Sequence, residues 1–359
     1  MTEKTMIGID LFAGAGGMSL GARQAGIDVQ VVVEADKHAA ATYLRNHRPK
    51  FGVFADDIRK FNKVDIETKN GEQIVLFGGP PCQGFSTSNQ KTRTSDNETN
   101  WLFLEFLRMA SLYKPDWIVF ENVKGILETE KGFFAEKVIL SLEKLGYTCF
   151  ASILNAVDYG VPQRRDRFFV VASLHNEPFS FPKPSDSHKV TVQEAIGDLP
   201  LLDNGSSKCY MTYSSDPVSE YSRLMRGRLE GCSNNIVTKN APFIVGRYKY
   251  IPQGGNWENI PDHLMSNYKD KTRCHTGIYR RLCEKSPSVV IGNFRKNMLI
   301  HPIQDRGLSV REAARLQSFP DEFVFEGSIG FQQQQVGNAV PPLLAKALFQ
   351  QILKKNYQL

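Results

Sequence analysis

The sequence predicts an α/β protein with a doubly wound, mostly parallel β-sheet and a smaller, irregular, β-rich second domain. Three observations lead to this prediction. Short apolar runs alternate with stretches of helical periodicity through the first half of the chain. A glycine-rich turn joins the first apolar run to the first helical stretch. Beyond about residue 179 the alternation stops, and Pro, Gly, Asn and Ser are frequent as far as residue 302.

The apolar runs are predicted as strands and the periodic stretches between them as helices. The strands are Met6–Leu11, Val29–Glu34, Ile74–Phe77, Trp117–Phe120, Ala151–Asn155 and Arg167–Ala172. The helices are Gly17–Ala25, His38–Asn46, Leu102–Leu112 and Phe133–Leu145, with Ser309–Ser318 and Leu343–Leu353 near the end of the chain. Because strand and helix alternate, the strands should run mostly parallel, with ligand sites at their carboxyl edge.

The irregular middle segment is predicted to be a domain of its own. We assign residues 188–304 to it, and residues 1–187 together with 305–359 to the sheet domain. The whole chain of 359 residues carries a net charge of +6. The middle segment holds 16 Lys or Arg against 10 Asp or Glu, so it contains the entire basic excess. A basic segment with interleaved aromatic residues favours a nucleic-acid-binding surface over an ordinary solvated one.

Composition and cysteine spacing exclude several classes of protein. Apolar residues make up 41% and charged residues 23%, which is the mixture of an ordinary globular chain. The first six residues contain no apolar segment and no run approaches 18 apolar residues, so we expect neither a secretory signal nor a membrane span. The six cysteines show no CxxC spacing, so we expect no metal site, no disulfide framework and a cytoplasmic location.

The segment Asp10–Gly17 follows the first strand and opens the first helix. Its glycines let a ligand approach the backbone closely, and Glu34 follows about 20 residues later, where a carboxylate can accept a ribose hydroxyl. A nicotinamide oxidoreductase would satisfy the same pattern. Ser19 in the third fingerprint position, and an acid at Asp10 that would repel a pyrophosphate but attract an ammonium, favour S-adenosylmethionine (AdoMet) over NAD.

A candidate nucleophile follows the strand Ile74–Phe77. Cys82 ends a Gly-Gly-Pro-Pro turn at a carboxyl strand edge, and Glu121 ends another strand on the same edge. A thiol needs local help to act as a thiolate, and the sequence does not show the group that provides it. A thiolate and a proton-donating acid together suit addition to a polarised ring such as cytosine. Sulfur attacks C6, and protonation of N3 makes the ring accept it.

These motifs resemble those of the DNA (cytosine-5)-methyltransferases of the bacterial restriction–modification type. Six motifs in the family order carry the resemblance: Asp10–Gly17, Gly78–Ser86, Phe120–Val123, Gln163–Arg167, Arg311–Pro320 and Gln335–Pro342. They span almost the whole chain. The resemblance implies the Rossmann-like fold of AdoMet-dependent methyltransferases for the sheet domain, and target recognition for the middle domain.

The resemblance also implies a role for each matched residue. Cys82 would be the nucleophile, Glu121 would engage N3 and the exocyclic amine, and Arg165 would help to hold the base, with Arg167 in the second arginine position of the motif. Methyl transfer to C5, proton loss and β-elimination of Cys82 would leave S-adenosylhomocysteine as the other product. The positions that would contact AdoMet are Phe12, Gly14, Gly16, Glu34, Asp57, Ile58, Pro80, Leu102, Asn338 and Val340.

The expected partner is double-stranded DNA, from which the target base must be flipped out because C5 is stacked inside the duplex. The polar segment 86–100 is expected to close over the site. Pro287-Ser-Val-Val-Ile291 lacks the threonine pair often found there, so a base-contacting threonine is not carried over. DNA contacts are expected from Gln83, Ser86, Lys91, Arg93, Arg280, Arg281, Arg295 and Lys296.

Two alternatives to this function share the fold or the ligand. One is a tRNA cytosine-5 methyltransferase, against which Gly84-Phe85 and the long middle segment argue. The other is a DNA-binding module without catalysis, against which the intact Cys82 and Glu121 argue. The favoured interpretation is a monomeric methyltransferase, paired in function with a separate restriction endonuclease and independent of metals and membranes.

Overall fold

The structure is a computed structural model that describes residues 6–69, 71–81, 101–266, 277–292, 294–295 and 298–356. Six predicted site residues lie outside the described residues: Cys82, Gln83, Ser86, Lys91, Arg93 and Lys296. The chain divides into two compact units. The first comprises Met1–Tyr159, Asp166–Ser185 and Val340–Leu359, and the second comprises Gly160–Arg165 and Asp186–Ala339.

The first unit contains a seven-stranded sheet flanked by helices. In chain order its elements are β1 (Met6–Leu11), α1 (Gly17–Ala25), β2 (Ile27–Val33), α2 (Lys37–Asn46), β3 (Val53–Phe54), β4 (Gln73–Gly78), α3 (Phe103–Tyr113), β5 (Trp117–Val123), α4 (Phe133–Lys144), β6 (Thr148–Asn155), β7 (Asp166–Ser173) and α10 (Pro342–Asn356). The strand order is β3-β2-β1-β4-β5-β7-β6. Strands β1 to β5 are parallel, whereas β7 pairs antiparallel with both β5 and β6. This confirms the predicted mostly parallel α/β sheet.

Continuous apolar strands place the core on both faces of this sheet. All six residues of β1 are buried, as expected for a parallel strand covered by helices on both sides. The last helix, α10, packs on α1, where a Cβ at Gly21 would lie 2.6 Å from both the Ala345 Cβ and the Pro342 carbonyl oxygen. A glycine at this position therefore lets the two helices approach, and α10 joins the first unit from the far end of the sequence.

The second unit is irregular, as predicted, but its described residues are not rich in strand. They form five helices of five to ten residues, α5 (Val192–Ile196), α6 (Glu220–Arg226), α7 (Pro242–Tyr248), α8 (Val310–Leu316) and α9 (Ile329–Asn338), and two two-residue strands, β8 (Met211–Thr212) and β9 (Gly231–Cys232). The expectation of a β-rich domain is therefore wrong for the described part.

Buried arginine side chains provide hydrogen-bond partners for backbone carbonyl groups of this irregular unit. Arg311 is fully buried and donates to the carbonyl oxygens of Ser233, Pro320 and Phe323. Arg315 is likewise buried and forms ion pairs with Asp198 and Asp321. Because buried carbonyl groups need donors, these arginines can stabilise chain segments that lack a hydrogen-bonded ladder.

The two compact units do not coincide with the predicted domain boundaries. Residues 160–165 and 305–339 belong to the second unit, whereas the sequence-based division placed both segments with the sheet. The assignment of target recognition to residues 188–304 stays a prediction. Among the helices of the described ranges, none is long and apolar enough to cross a membrane.

Candidate functional site

The carboxyl edge of the parallel strands carries the predicted cofactor and catalytic residues of the first unit. Along the sheet order, Asp57 follows β3, Glu34 follows β2, the glycine turn follows β1 and Pro80 follows β4. Glu121 lies near the end of β5, so the structure brings these residues to one edge of one sheet, as the strand pattern predicts.

The glycine turn after β1 has the shape expected of a ligand-binding loop. Phe12, Gly14 and Gly16 all have positive φ, at 60°, 57° and 92°. The Gly14 N–H donates to the Glu34 carboxylate at 2.7 Å, and a Cβ at Gly14 would meet no atom within 4 Å. The turn therefore presents open space in front of a fixed backbone, which fits the close approach of a cofactor.

Asp10 differs from its predicted role at this turn. Its carboxyl is 1% exposed and accepts a hydrogen bond of 2.6 Å from Ser19 Oγ, at the start of α1. Burial raises the pKa of Asp10 to about 8, so the group is largely protonated at neutral pH. The sequence suggested an acid that attracts an ammonium group, whereas the structure shows a buried carboxyl bonded to α1.

The other residues predicted to contact the cofactor differ in their surroundings. Asp57 caps a short 3₁₀ turn and its carboxylate binds the Arg59 guanidinium, which lowers the pKa of Asp57 to about 2. Ile58 and Val340 are buried, and Leu102 immediately precedes α3. Asn338 is the last residue of α9, in the second unit, and is exposed. Asp57 is thus a charged group and Ile58 an apolar one, and their expected contact with the cofactor stays a prediction.

Glu121 and Arg167 form a buried ion pair. Arg167 Nε lies 2.9 Å from Glu121 Oε1, and the two side chains are only 9% and 10% exposed. Glu121 is on β5, and Arg167 is on β7 opposite Val123, so the antiparallel register places them diagonally on one face. Burial lowers the pKa of Arg167, but a guanidinium keeps its charge in proteins.

Two neighbours that sequence reasoning did not assign shape the surroundings of Glu121. A Cβ on Gly79 would collide with Glu121 Oε2, so the carboxylate occupies the space of the missing side chain. Asn122 Nδ2 donates to the Pro80 carbonyl oxygen at 3.4 Å, which ties β5 to the turn that leads towards Cys82. Both residues lie inside the quoted motifs, so their position in the motif was the available signal.

Arg165 has different surroundings from Arg167. It is 1% exposed and donates to the carbonyl oxygens of Ile291, Gly337 and Ala339 at 2.8 to 3.1 Å, all within the second unit. Gln163 holds the same segment, since its Oε1 accepts from the Ile291 N–H at 2.8 Å. The structure thus assigns Arg165 to positioning the backbone, and its expected contact with the base stays a prediction.

Comparison with known proteins shows the family to which the chain belongs. The family model of C-5 cytosine-specific DNA methylases matches residues 6–354. The chain belongs to this family. Type II methyltransferase M1.HphI of Haemophilus parahaemolyticus is 36% identical, over 97% of this chain and 87% of its own length. Type II methyltransferase M.DdeI of Desulfomicrobium norvegicum is 33% identical, over 96% of this chain and 88% of its own length.

A solved structure supports the same assignment. A protein described as a DNA modification methyltransferase encoded within a prophage of Escherichia coli superposes with a TM-score of 0.76. The two chains are 26% identical, and the match covers 97% of this methylase and 99% of the other chain. Membership of the family makes the protein a DNA (cytosine-5)-methyltransferase and implies S-adenosylmethionine as the methyl donor.

Of Arg280, Arg281 and Arg295, the predicted DNA-contacting basic residues that the structure describes, Arg281 is buried. Arg281 is 5% exposed, and its five N–H groups donate to Ile251, Tyr248, His301, Gln304 and Asp305. It has no donor left for a phosphate, so its predicted DNA contact is corrected to a structural role. Arg280 is half-buried and Arg295 is exposed, which leaves both side chains accessible.

Proposed function

We propose that the methylase transfers a methyl group from AdoMet to C5 of a cytosine flipped out of a specific duplex sequence, through a covalent bond between Cys82 and C6. The observation that carries this proposal is the buried Glu121–Arg167 pair at the same sheet edge as the glycine turn. A carboxylate fixed in a water-poor site is the group needed to stabilise a proton at N3 of the ring.

The residues at the carboxyl edge of the sheet have different roles in this reaction. Arg167 holds Glu121 Oε1, while Oε2 lies over Gly79, beside the turn that leads to Cys82. As the Cys82 thiolate adds to C6, a proton passes from the Glu121 carboxyl group to N3, and the resulting carboxylate accepts hydrogen bonds from N3–H and the exocyclic amine. The electron pair of the C5=C6 bond then makes C5 nucleophilic. After methylation C5 loses its proton to water, the Sγ–C6 bond breaks to release the Cys82 thiolate, and N3 returns its proton to Glu121 as the aromatic ring is restored.

The described residues also fit the proposed methyl donor. Gly14 borders open space, Glu34 places a carboxylate beside it, and Ile58 offers an apolar side chain at the next strand end. When bound, AdoMet would supply an electrophilic methyl group on a sulfonium. Phe12, Gly14, Gly16, Glu34, Asp57, Ile58, Pro80, Leu102, Asn338 and Val340 are the residues that we assign to holding it.

The names of the relatives support a biological role. They are type II methyltransferases, so we propose that this methylase protects DNA from a separate restriction endonuclease with the same recognition sequence and acts as a monomer. Two accessible basic residues, Arg280 and Arg295, are proposed to contact the DNA backbone, because neutralising phosphates is the main source of DNA affinity.

Transfer of a labelled methyl group from AdoMet to duplex DNA of varied sequence tests the activity. We expect label at C5 of cytosine in one short sequence context, and none with Cys82→Ala. Transfer RNA serves as the competing substrate, and label on RNA alone would favour the tRNA methyltransferase instead. AdoMet binding without transfer to either substrate would favour the non-catalytic DNA-binding module.

A further inference from the structure

A cluster of buried polar side chains lies beneath the glycine turn and takes no part in the proposed reaction. Asp10 on β1, Ser19 on α1 and Tyr43 on α2 are each 1% exposed or less. The Tyr43 hydroxyl donates to Ser19 Oγ at 2.7 Å, and Ser19 Oγ donates to Asp10 Oδ2 at 2.6 Å. One chain of hydrogen bonds therefore joins three elements below the turn.

The same part of α2 also touches the turn directly. A Cβ on Gly16 would lie 2.8 Å from both Tyr43 Cδ2 and His47 Nε2, so both side chains pack against the backbone of this glycine. The Gly16 N–H in turn donates to the Ala13 carbonyl oxygen at 2.9 Å and closes the turn. The position of α2 therefore restricts where the backbone of the glycine turn can lie.

The turn needs such support because its conformation is unfavourable in isolation. Phe12 has φ of 60°, a left-handed conformation that is unfavourable for a non-glycine residue. Strained residues of this kind persist where the surrounding structure fixes them. The Asp10–Ser19–Tyr43 chain begins two residues before Phe12 and thus restrains the strand end from which the turn departs.

We propose that Asp10, Ser19 and Tyr43 are positioning residues for the cofactor, and that their hydrogen-bonded chain holds the glycine turn in its AdoMet-binding conformation. The proposal rests on the proposed use of AdoMet at this turn. Burial raises the pKa of Asp10 to about 8 and that of Tyr43 above its usual value, so the hydrogen-bonded side chains are mostly uncharged at neutral pH. Glu34 adds to the shift at Asp10, and Arg23 is the charged group that faces Tyr43 and His47.

The test compares Tyr43→Phe with the matched control Tyr147→Phe. Tyr147 is also a buried tyrosine of the first unit, and its hydroxyl donates to the Pro115 carbonyl oxygen at 2.8 Å, far along the chain from the glycine turn. Calorimetric titration with AdoMet and with S-adenosylhomocysteine gives the dissociation constants, and thermal unfolding gives the stability of each variant. Methyl transfer at saturating AdoMet then separates kcat from KM.

We expect Tyr43→Phe and Ser19→Ala to raise the Kd for both ligands roughly fivefold to tenfold, the equivalent of one buried hydrogen bond. Their kcat should stay close to that of the wild type. Tyr147→Phe should lose comparable stability and keep the wild-type Kd. Asp10→Asn keeps an acceptor for Ser19 and should bind AdoMet within about twofold of the wild type, whereas Asp10→Ala should bind as weakly as Ser19→Ala.

Two results would overturn the positioning role. One is unchanged affinity in folded Tyr43→Phe and Ser19→Ala proteins whose melting temperatures fall as in the Tyr147→Phe control. The other is an equal loss of affinity in Asp10→Asn and Asp10→Ala, which would mean that the charge of Asp10 matters and its hydrogen bond does not. A wild-type protein that binds no AdoMet would instead refute the proposed function itself.

Discussion

Arg167 Nε lies 2.9 Å from Glu121 Oε1, and both side chains are almost completely removed from water. The pair joins neighbouring antiparallel strands, β5 and β7, near the edge where the parallel strands end. Its geometry leaves the second carboxylate oxygen over Gly79. Arg167 therefore determines how Glu121 is aimed, and Gly79 provides the room that the carboxylate needs.

Replacing Arg167 should reduce catalysis more than cofactor binding. In Arg167→Ala the buried Glu121 carboxylate loses its partner, a change that typically costs about 3–5 kcal/mol. We expect kcat to fall by at least about 100-fold, with the Kd for AdoMet changed less than about threefold. Lys124→Ala is the matched control, since Lys124 directly follows β5 and pairs with Asp166 on β7 at an exposed site. Similar kcat values in the two variants would contradict the role of Arg167.

Gly79→Ala should displace Glu121 without removing a single polar group. The added methyl would collide with Glu121 Oε2, and the ion pair between Oε1 and Arg167 restrains the carboxylate from moving aside. We expect a loss of kcat of roughly 10-fold to 100-fold and a folded protein by circular dichroism. Gly246→Ala in α7 is the control, because a Cβ there meets no atom within 4 Å. A wild-type kcat in Gly79→Ala would show that the Glu121 carboxylate can move away from the added methyl group without loss of catalysis.

Arg280 and Arg281 should respond to substitution in opposite ways. Arg281→Ala removes five hydrogen bonds from a buried site, so we expect a loss of at least about 3 kcal/mol in the free energy of unfolding. Arg280→Ala should leave the unfolding midpoint unchanged and weaken DNA binding, with a smaller dependence of affinity on salt. Denaturant titration and a salt series of DNA-binding measurements test both. A stable Arg281→Ala protein with weakened DNA binding would reverse this assignment.

Arg165 should stabilise the folded protein through its hydrogen bonds to three backbone carbonyl groups. Arg165→Lys keeps the positive charge but cannot reach all three acceptors, so we expect a loss of about 2–3 kcal/mol in the free energy of unfolding. Arg164→Lys is the neighbouring control, since Arg164 is exposed. Equal stability of the two variants in urea titrations would show that the buried guanidinium contributes little.

The second unit should lose stability as the pH falls from about 6.5 to 2. Burial lowers the pKa of His301 to about 4 despite the nearby Glu312, and Arg306 helps to lower the pKa of Glu312 to about 2. Each group takes up protons more readily in the unfolded chain, so stability decreases below about 6.5 for His301 and below about 4.5 for Glu312. In urea titrations at different pH values, the free energy of unfolding of His301→Gln should change less between pH of about 6.5 and 4 than that of the wild type. An unchanged profile in that variant would exclude His301 as its cause.

The sheet could be predicted from the sequence because its strands are nearly continuous apolar runs. All six predicted strands form, and the predicted bounds of β1 and α1 match the structure. β3 was missed because two residues, Val53 and Phe54, give too short an apolar run. Helix α9 was missed because three of its buried residues are glutamines, which carry no apolar periodicity.

The site was predictable where a motif specifies a backbone shape, and less so where burial determines the role. The glycines after β1 form a turn with positive φ, and the Gly14 N–H donates to Glu34 at the end of β2, while their contact with a cofactor stays a prediction. Arg281 looked like a DNA contact beside Arg280, but its neighbours in space are carbonyl groups from distant parts of the sequence. Asp10 was expected to attract an ammonium for a similar reason, since only the fold brings Ser19 to Asp10 and Tyr43 to Ser19.

Covalent capture tests the central claim most directly. A duplex containing the recognition sequence, with fluorine in place of hydrogen at C5 of the target cytosine, cannot lose a proton after methylation. In the presence of AdoMet, intact-mass analysis should therefore show one DNA strand bound to the protein, and peptide mapping should place the bond at Cys82. No adduct on an otherwise active enzyme, or an adduct that persists in Cys82→Ser, would contradict the mechanism.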